Sequence, residues 1–405
     1  MQYLWGIFGI LVVLGIGFLF SSDKKRINYR SVIGGLIIQI IFAFLVLETS
    51  WGQSGLKWLT LGINEIINYS NEGIDFLFGG LFTEKSGIGY VFAFNVLPVV
   101  IFFSALISVL YYLNIMQFFI KIIGGALSKL LGTRKAESLS AAANIFVGQT
   151  EAPLVIRPYL STMTKSELFA VMTGGLASVA GSVLVGYSLL GVPLEYLLAA
   201  SFMAAPAGLV MAKLFVPETD DTPEPDSFKM EADSDSANVI DAAAKGASVG
   251  LQLALNIGAM LLAFIALVAL INGILGLIGG VFGYSDLTLE LILGYVFSPL
   301  AWAIGVPWSE AVTAGNFIGQ KLVINEFVAY SNFAPVLGDL SDKAVAIISF
   351  ALCGFANVSS LGILLGGLGN LAPNRRPEIA KMGLRAVLAG ALASLLSAAI
   401  AGMFV

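Results

Sequence analysis

The sequence predicts an all-α polytopic membrane protein: eight transmembrane helices, two opposed re-entrant hairpins forming an inverted repeat, and interfacial helices. Three observations predict it. Of 405 residues, 58% are hydrophobic and 12% charged, the mean hydropathy is +0.90, and several runs reach the roughly 20 apolar residues that cross about 30 Å of hydrocarbon as helix. Two further apolar stretches are broken by Gly, Pro and ionisable residues. The helices that follow those stretches share a sequence frame.

The same composition excludes several chemistries. There is no histidine, so imidazole catalysis, histidine proton relays and His-ligated metals are ruled out. Cys353 is the only cysteine, which leaves no disulfide or zinc cluster within one chain and reads as a small buried hydrophobe. The calculated pI of 4.9 is misleading, because nine of the 26 acidic residues fall in 217–245. Outside that stretch 17 acidic and 19 basic residues remain. Its Pro, Asp, Glu and Ser content reads as a mobile linker dividing the chain into halves.

Residues 1–20 are an apolar run followed, not preceded, by Lys24, Lys25, Arg26 and Arg30. A cleavable signal peptide has its charges in front, so this is a first spanning helix with its N-terminus outside and its basic end in the cytoplasm. The spans expected are 2–20, 31–49, 89–113, 166–190, 194–215, 247–280, 343–371 and 383–404. This parity places Lys121, Lys129, Arg134, Lys135, Lys165, the acidic linker, Arg375, Arg376, Lys381 and Arg385 inside. Loops 191–196 and 279–288 on the other side carry no Lys or Arg, as the positive-inside rule requires. Both termini are then outside.

Three pieces do not fit as spans. Residues 53–82 mix apolar positions with Lys57, Glu65, Glu72 and Asp75, which suits an amphipathic interfacial helix and turns. Residues 136–165 are interrupted at Gly148 and Pro153, and residues 308–332 at Gly319, Gln320, Lys321, Asn325 and Glu326. Limbs of about 12 to 15 residues rise only about 18 to 22 Å, too little to cross, so both stretches read as hairpins. Their flanking charges put them on opposite faces.

GLASVAGS (175–182) follows the first hairpin and GFANVSSL (354–361) the second, an offset of 179 residues; the Gly-Gln pairs of the hairpins repeat at 171. Frames in the same order with inverted topology favour an inverted repeat with a site near the membrane midplane. Small residues also serve ordinary helix contacts. A hairpin tip leaves carbonyls free at the end of its first limb and amides free at the start of its second, where Pro153 has no amide to satisfy. Carbonyls can hold a cation, and amides a carboxylate or substrate oxygen. Gly, Ser and Asn let the next helix unwind opposite the tip. Glu151 and Glu326 sit in these tips, and an ionisable side chain in such surroundings costs roughly 2.5 to 3.5 kcal/mol, so it marks a substrate or ion pathway.

GQTEAPLVIRPYL (148–160), NEF (325–327) and GFANVSSLG (354–362) resemble the specific motifs of the concentrative nucleoside transporter family in its bacterial form, and the resemblance extends over nearly the whole chain. It implies a sodium-coupled nucleoside importer, a homotrimer in which scaffolds hold transport domains that move like elevators. Gln149, Thr150 and Glu151 would contact the nucleobase, Val183 and Phe355 would form apolar walls, and Glu326, Asn357 and Ser360 would bind the ribose of a nucleoside such as uridine. One sodium ion would be held by Asn144, Val147, Ser178 and Val179. The chemistry agrees: an ionised carboxylate only accepts, which suits ribose hydroxyls, and oxygen ligands suit a hard cation.

The implied organisation is scaffold and interfacial helices over 1–113, a first transport repeat over 114–215, the cytoplasmic linker 216–246, a scaffold helix in 247–286, and a second repeat over 287–405. Lipid and nucleosides are the expected partners, with no nucleic acid, in a bacterial inner membrane. Arg157 and Lys321 are expected to pair with buried carboxylates or to snorkel. Trp51, Trp58, Trp302 and Trp308 read as interfacial anchors. GGLGN (366–370) lacks the strand and helix context of a phosphate loop. Proton coupling through Glu151 or Glu326 is the alternative within this class. A passive channel and a membrane-embedded hydrolase are the others, the latter lacking histidine and a G-x-S-x-G elbow.

Overall fold

The computed structural model describes residues 2–81, 91–220 and 236–405; part of the acidic linker, 221–235, lies outside the described residues. Described secondary structure is helical throughout. Three helices open the chain: α1 (Gln2–Leu19), α2 (Tyr29–Ala43), which runs on as a π-helix over Phe44–Glu48, and α3 (Ser50–Phe78). Next come α4 (Phe92–Asn95), α5 (Leu97–Tyr112), α6 (Ile115–Leu131) and α7 (Lys135–Ala143), then a 3₁₀-helix over Ala152–Tyr159. The first half closes with α8 (Lys165–Ala177), α9 (Gly181–Leu189) and α10 (Leu194–Phe215). The second half holds α11 (Val239–Val281), α12 (Leu289–Ala303), α13 (Ala311–Val323), α14 (Glu326–Phe333), α15 (Asp342–Leu352), α16 (Val358–Leu371) and α17 (Arg376–Ala401).

Burial divides these helices in two. The spans over α8–α9 and α10 are 94% buried and that of α17 is 83% buried, whereas α1, α2 and α5 are between 22% and 33% buried and α11 only 6%. The buried helices are rich in Ala and Gly, and α8, α10 and α17 pack on one another, as small residues allow. The 43-residue α11 lies along α5 at the margin. At 1.5 Å per residue it is about 65 Å long, far more than a perpendicular crossing needs.

Several expected extents are corrected. Seven helices among the described residues are long and apolar enough to span. The eighth expected span, 343–371, is divided at 353–357 into α15 and α16, neither of which reaches across alone. The helix expected from 247 starts at Val239, inside the acidic segment, because Asn238 caps it by accepting from the Asp241 amide. Helix α17 begins at Arg376 rather than 383. Residues 50–78 form one continuous helix instead of a helix with turns: their glycines fall inside a pattern amphipathic enough to override the local cost of about 1 kcal/mol each.

The basic loops meet at one end of the molecule. Arg30 donates to the Lys129 and Leu130 carbonyls, Arg385 to Phe20 and Phe215, and Arg375 to Met163. At the other end Gln2 donates to the Met403 carbonyl, which places the N- and C-termini side by side.

Candidate functional site

Four breaks in helices build the site. The first hairpin turns over residues 144–151 between α7 and the 3₁₀-helix. Its second limb is 3₁₀ rather than α, with a kink at Ile156 and Pro158 inside. The second hairpin breaks at residues 324–325, between α13 and α14, at the expected Asn325 and Glu326 but not at the equally expected Gly319 and Gln320. Those two residues are helical. Gly319 serves packing: a Cβ there would lie 2.7 Å from Leu293 Cβ of α12. Facing the tips, α8 gives way to α9 over 178–180 and α15 to α16 over 353–357.

Capping explains where the chain restarts. Asn325 Oδ1 accepts from the Val328 amide at 2.8 Å and starts α14, while Asn357 Oδ1 accepts from the Ser360 amide at 2.7 Å and starts α16. Each amide side chain thereby satisfies a free donor at a helix start. The two interrupted helices are joined where they cross, the Phe355 amide donating to the Ser178 carbonyl at 3.1 Å. That approach requires glycine at 354, since a Cβ there would sit 2.9 Å from the Ala177 carbonyl oxygen.

These breaks enclose a cavity of about 530 Å³, large enough for a small polar organic molecule. Gln149, Thr150, Glu151, Val183, Glu326, Phe355, Asn357 and Ser360 all line it. Glu151 Oε2 accepts from the Gly148 amide at 2.6 Å. Glu326 is buried; its Oε2 accepts from Asn357 Nδ2 at 2.8 Å and its Oε1 from the Tyr187 hydroxyl at 3.2 Å. Neither carboxylate forms an ion pair with a described Lys or Arg. Gln149 Oε1 is buried with no hydrogen-bond partner.

The four residues expected to hold sodium lie behind the cavity wall, all buried. The Asn144 amide rests against Gly174 and Gly175 in the last turn of α8. Its Nδ2 donates to the Ser140 carbonyl, while its Oδ1 has no partner. Ser178 Oγ donates to the Gly174 carbonyl, and the Phe146 carbonyl accepts from the Gly181 amide. Hairpin turn and helix break are therefore side by side, with an orphaned buried oxygen that fits a small hard cation.

Some residues of the cavity lining and its support escaped the sequence reading. Tyr187 sits one turn beyond Val183 on α9, the i, i+4 spacing that puts both on one face, and its ring stacks on Tyr330 with centroids 4.4 Å apart. Gln252 and Asn256 reach the cavity from α11 and bond to each other at 3.0 Å; a polar pair one turn apart in an otherwise apolar span was the available signal. Lys321 departs from expectation. It neither pairs with a described carboxylate nor snorkels, but is 2% exposed and donates to the Ala351 carbonyl at 2.6 Å and Ser394 Oγ at 2.7 Å. Arg157 is exposed. Trp51, Trp58 and Trp308 are exposed as well, and Trp302 packs edge-on against Trp5.

Comparison with known proteins matches this architecture along the chain. Family models described as the Na+ dependent nucleoside transporter N-terminus and C-terminus match residues 8–81 and 196–402, and one described as nucleoside recognition matches 93–193. The uncharacterized transporter YutK of Bacillus subtilis is 61% identical with 100% of both chains covered. The nucleoside permease NupC of Helicobacter pylori is 51% identical, covering 99% of this chain and 98% of its own. The solved structure of CNTnw in an inward-facing substrate-bound state has a TM-score of 0.94 at 57% identity, over 100% of this chain and 98% of that one. An outward-facing structure of a CNTnw variant reaches 0.96 at the same identity and coverage. The chain therefore belongs to the concentrative nucleoside transporter family, in its bacterial form, and is a transporter rather than an enzyme.

Proposed function

We propose that this protein is a sodium-coupled symporter that imports nucleosides such as uridine across the bacterial inner membrane by an elevator-type alternating-access movement, working as a homotrimer. The observation that carries the reading is the cavity itself, where two carboxylates are held by neutral donors only and remain free to accept from a ligand. In it, Glu326, Asn357 and Ser360 bind ribose hydroxyls, Gln149, Thr150 and Glu151 bind the base, and Val183 and Phe355 wall the ring. Sodium is co-transported cargo, held by Asn144 and Ser178 with the Val147 and Val179 carbonyls. Because ion and nucleoside sites share the first hairpin and the break after α8, each ligand orders part of the other's site, which is the physical basis of coupling.

The driving force is adequate: a charge moving through 100 mV gains about 2.3 kcal/mol and a tenfold sodium gradient about 1.4, together enough for several-hundredfold accumulation. The elevator reading is supported by burial, since the hairpins and α8–α10, α15 and α17 form one packed unit while α11 closes the cavity from the margin. The related CNTnw has been captured both inward-facing and outward-facing. The convergence of basic loops at the end opposite the paired termini supports both termini being outside.

Radiolabelled uridine uptake into proteoliposomes is the test. Accumulation above the external concentration with an inward sodium gradient, and none in choline, is expected. Equal uptake in both media that collapses with a protonophore would transfer the coupling to protons, and equilibration without accumulation would reduce the protein to a passive pore.

A further inference from the structure

The two repeats differ in one physical respect that the sequence frame conceals. In each, the carbonyl end of a hairpin's first limb faces the carbonyl end of the following half-helix: α7 and α8 in the first, α13 and α15 in the second. Each such end carries a partial negative charge of about half an electron, so each pair calls for roughly one positive charge in a place from which water is excluded. The first repeat supplies none; Asn144 occupies the end of α7 with its Oδ1 unpartnered, and Ser140 Oγ and Thr173 Oγ1 nearby in the chain are buried and unpartnered too. The second repeat is complete. From the last turn of α13, the Lys321 ammonium reaches the Ala351 carbonyl in the last turn of α15 and Ser394 Oγ of α17, and residues 288–405 contain no buried side-chain nitrogen or oxygen without a partner.

We propose that Lys321 is a tethered cation occupying, in the second repeat, the position that sodium takes in the first, and that it thereby fixes the coupling at one sodium per nucleoside. Two of its three donors reach neutral oxygens, with no carboxylate in ion-pair contact, which is the coordination of a small cation delivered on a side chain. The proposal explains why a buried ammonium is kept with no anion in contact, the nearby Glu326 acting on it only through space, an arrangement that two negative helix ends make natural. It also explains the asymmetry of the Gly-Gln pairs: Gln149 Oε1 is buried without a partner, whereas Gln320 is bonded on both sides, to Asn316 and Asn332. Lys321 is a positioning residue, acting on the nucleoside through the tip that presents Glu326. This inference rests on the sodium reading of the first repeat.

The experiment is uridine binding to purified protein as sodium replaces choline at constant ionic strength. In the parent, a sodium dependence of slope about one tests the underlying reading alone, and its absence overturns that reading. Lys321→Ser, which removes the charge and leaves an oxygen, is expected to steepen the slope toward two and to raise the sodium needed for half-saturation. An unchanged slope and midpoint in folded protein overturn the tethered-cation role. The converse variant guards against a folding failure. Asn144→Lys should bind uridine equally in choline and sodium, and either parental sodium dependence or loss of binding in monodisperse protein counts against the proposal.

Discussion

Glu137 and Glu326 are both almost wholly removed from solvent, at 1% and 6% exposure, yet they are satisfied in opposite ways. At the base of the first hairpin, Glu137 pairs with the buried Lys213 ammonium at 2.6 Å, Lys213 also donates to Ser166 Oγ, and Arg134 bridges Glu167 and Glu218 at 3.6 Å each. At the tips, Glu151 and Glu326 meet only uncharged donors: amides, a phenol and the Thr150 hydroxyl. A carboxylate that has its cation is a structural clamp. One supported by neutral donors keeps spare acceptor sites for something that arrives. The base network ties α7, α8 and α10 to the beginning of the acidic segment, where Thr164 also donates to Glu218 at 2.8 Å, so it holds rigid the limbs whose far ends form the cavity.

The comparison can be broken most forcefully at the base. Lys213→Met strands Glu137 and should cost about 3 to 5 kcal/mol, read as a large fall in the thermal midpoint of the detergent-purified protein. Adding Glu137→Gln should recover most of it, and a single variant that melts with the parent would show the pair is not a clamp. At the tip the expectation reverses. Glu151→Gln should leave the midpoint nearly unchanged but weaken uridine binding by about 10 to 100-fold, corresponding to the roughly 1 to 3 kcal/mol of a charged hydrogen bond; loss of stability with retained affinity would place Glu151 among the clamps. Asn144→Ala should raise the sodium concentration for half-maximal uptake about fivefold, the effect of about 1 kcal/mol, without changing the uridine maximum at saturating sodium. Smallest of all, Tyr187→Phe removes one 3.2 Å bond to Glu326 and should cost uridine affinity about two- to fivefold. An unchanged affinity would mean that Asn357 alone orients that carboxylate.

How much of this was legible in the sequence follows the same division. The tips were readable because ionisable residues in apolar sequence are expensive and therefore conspicuous, so Glu151 and Glu326 stood out, whereas Asn144 and Asn357 came only through the family resemblance. Asn325 and Glu326 were among the expected interruptions, but neither Asn325 nor Asn357 was read as a helix cap, and the register of the second hairpin stayed open. There the Gly-Gln repeat misled, because Gly319 answers to its packing against α12 and not to backbone freedom. Glu137, Glu167 and Lys213 were invisible: each lies near a loop where charge is ordinary, and only tertiary packing buries them together. Lys321 was noticed but given the wrong partner, since sequence shows a charge and not the helix ends that surround it. Tyr187, Gln252 and Asn256 could have been found from one-turn spacing to a polar or lining neighbour.

The central claim is that the tip carboxylates are reserved for the nucleoside, with Glu326 accepting from ribose. Calorimetric titration of the parent and of Glu326→Gln in saturating sodium, with uridine and with 2′,3′-dideoxyuridine, tests it most directly. The parent should bind uridine at least about a hundredfold more tightly than the dideoxy analogue, as sites built to hydrogen-bond a hydroxyl do, and the variant should lose most uridine binding while its weak affinity for the analogue changes little. Normal uridine affinity in Glu326→Gln, or a parent protein that binds both nucleosides alike, would contradict the account.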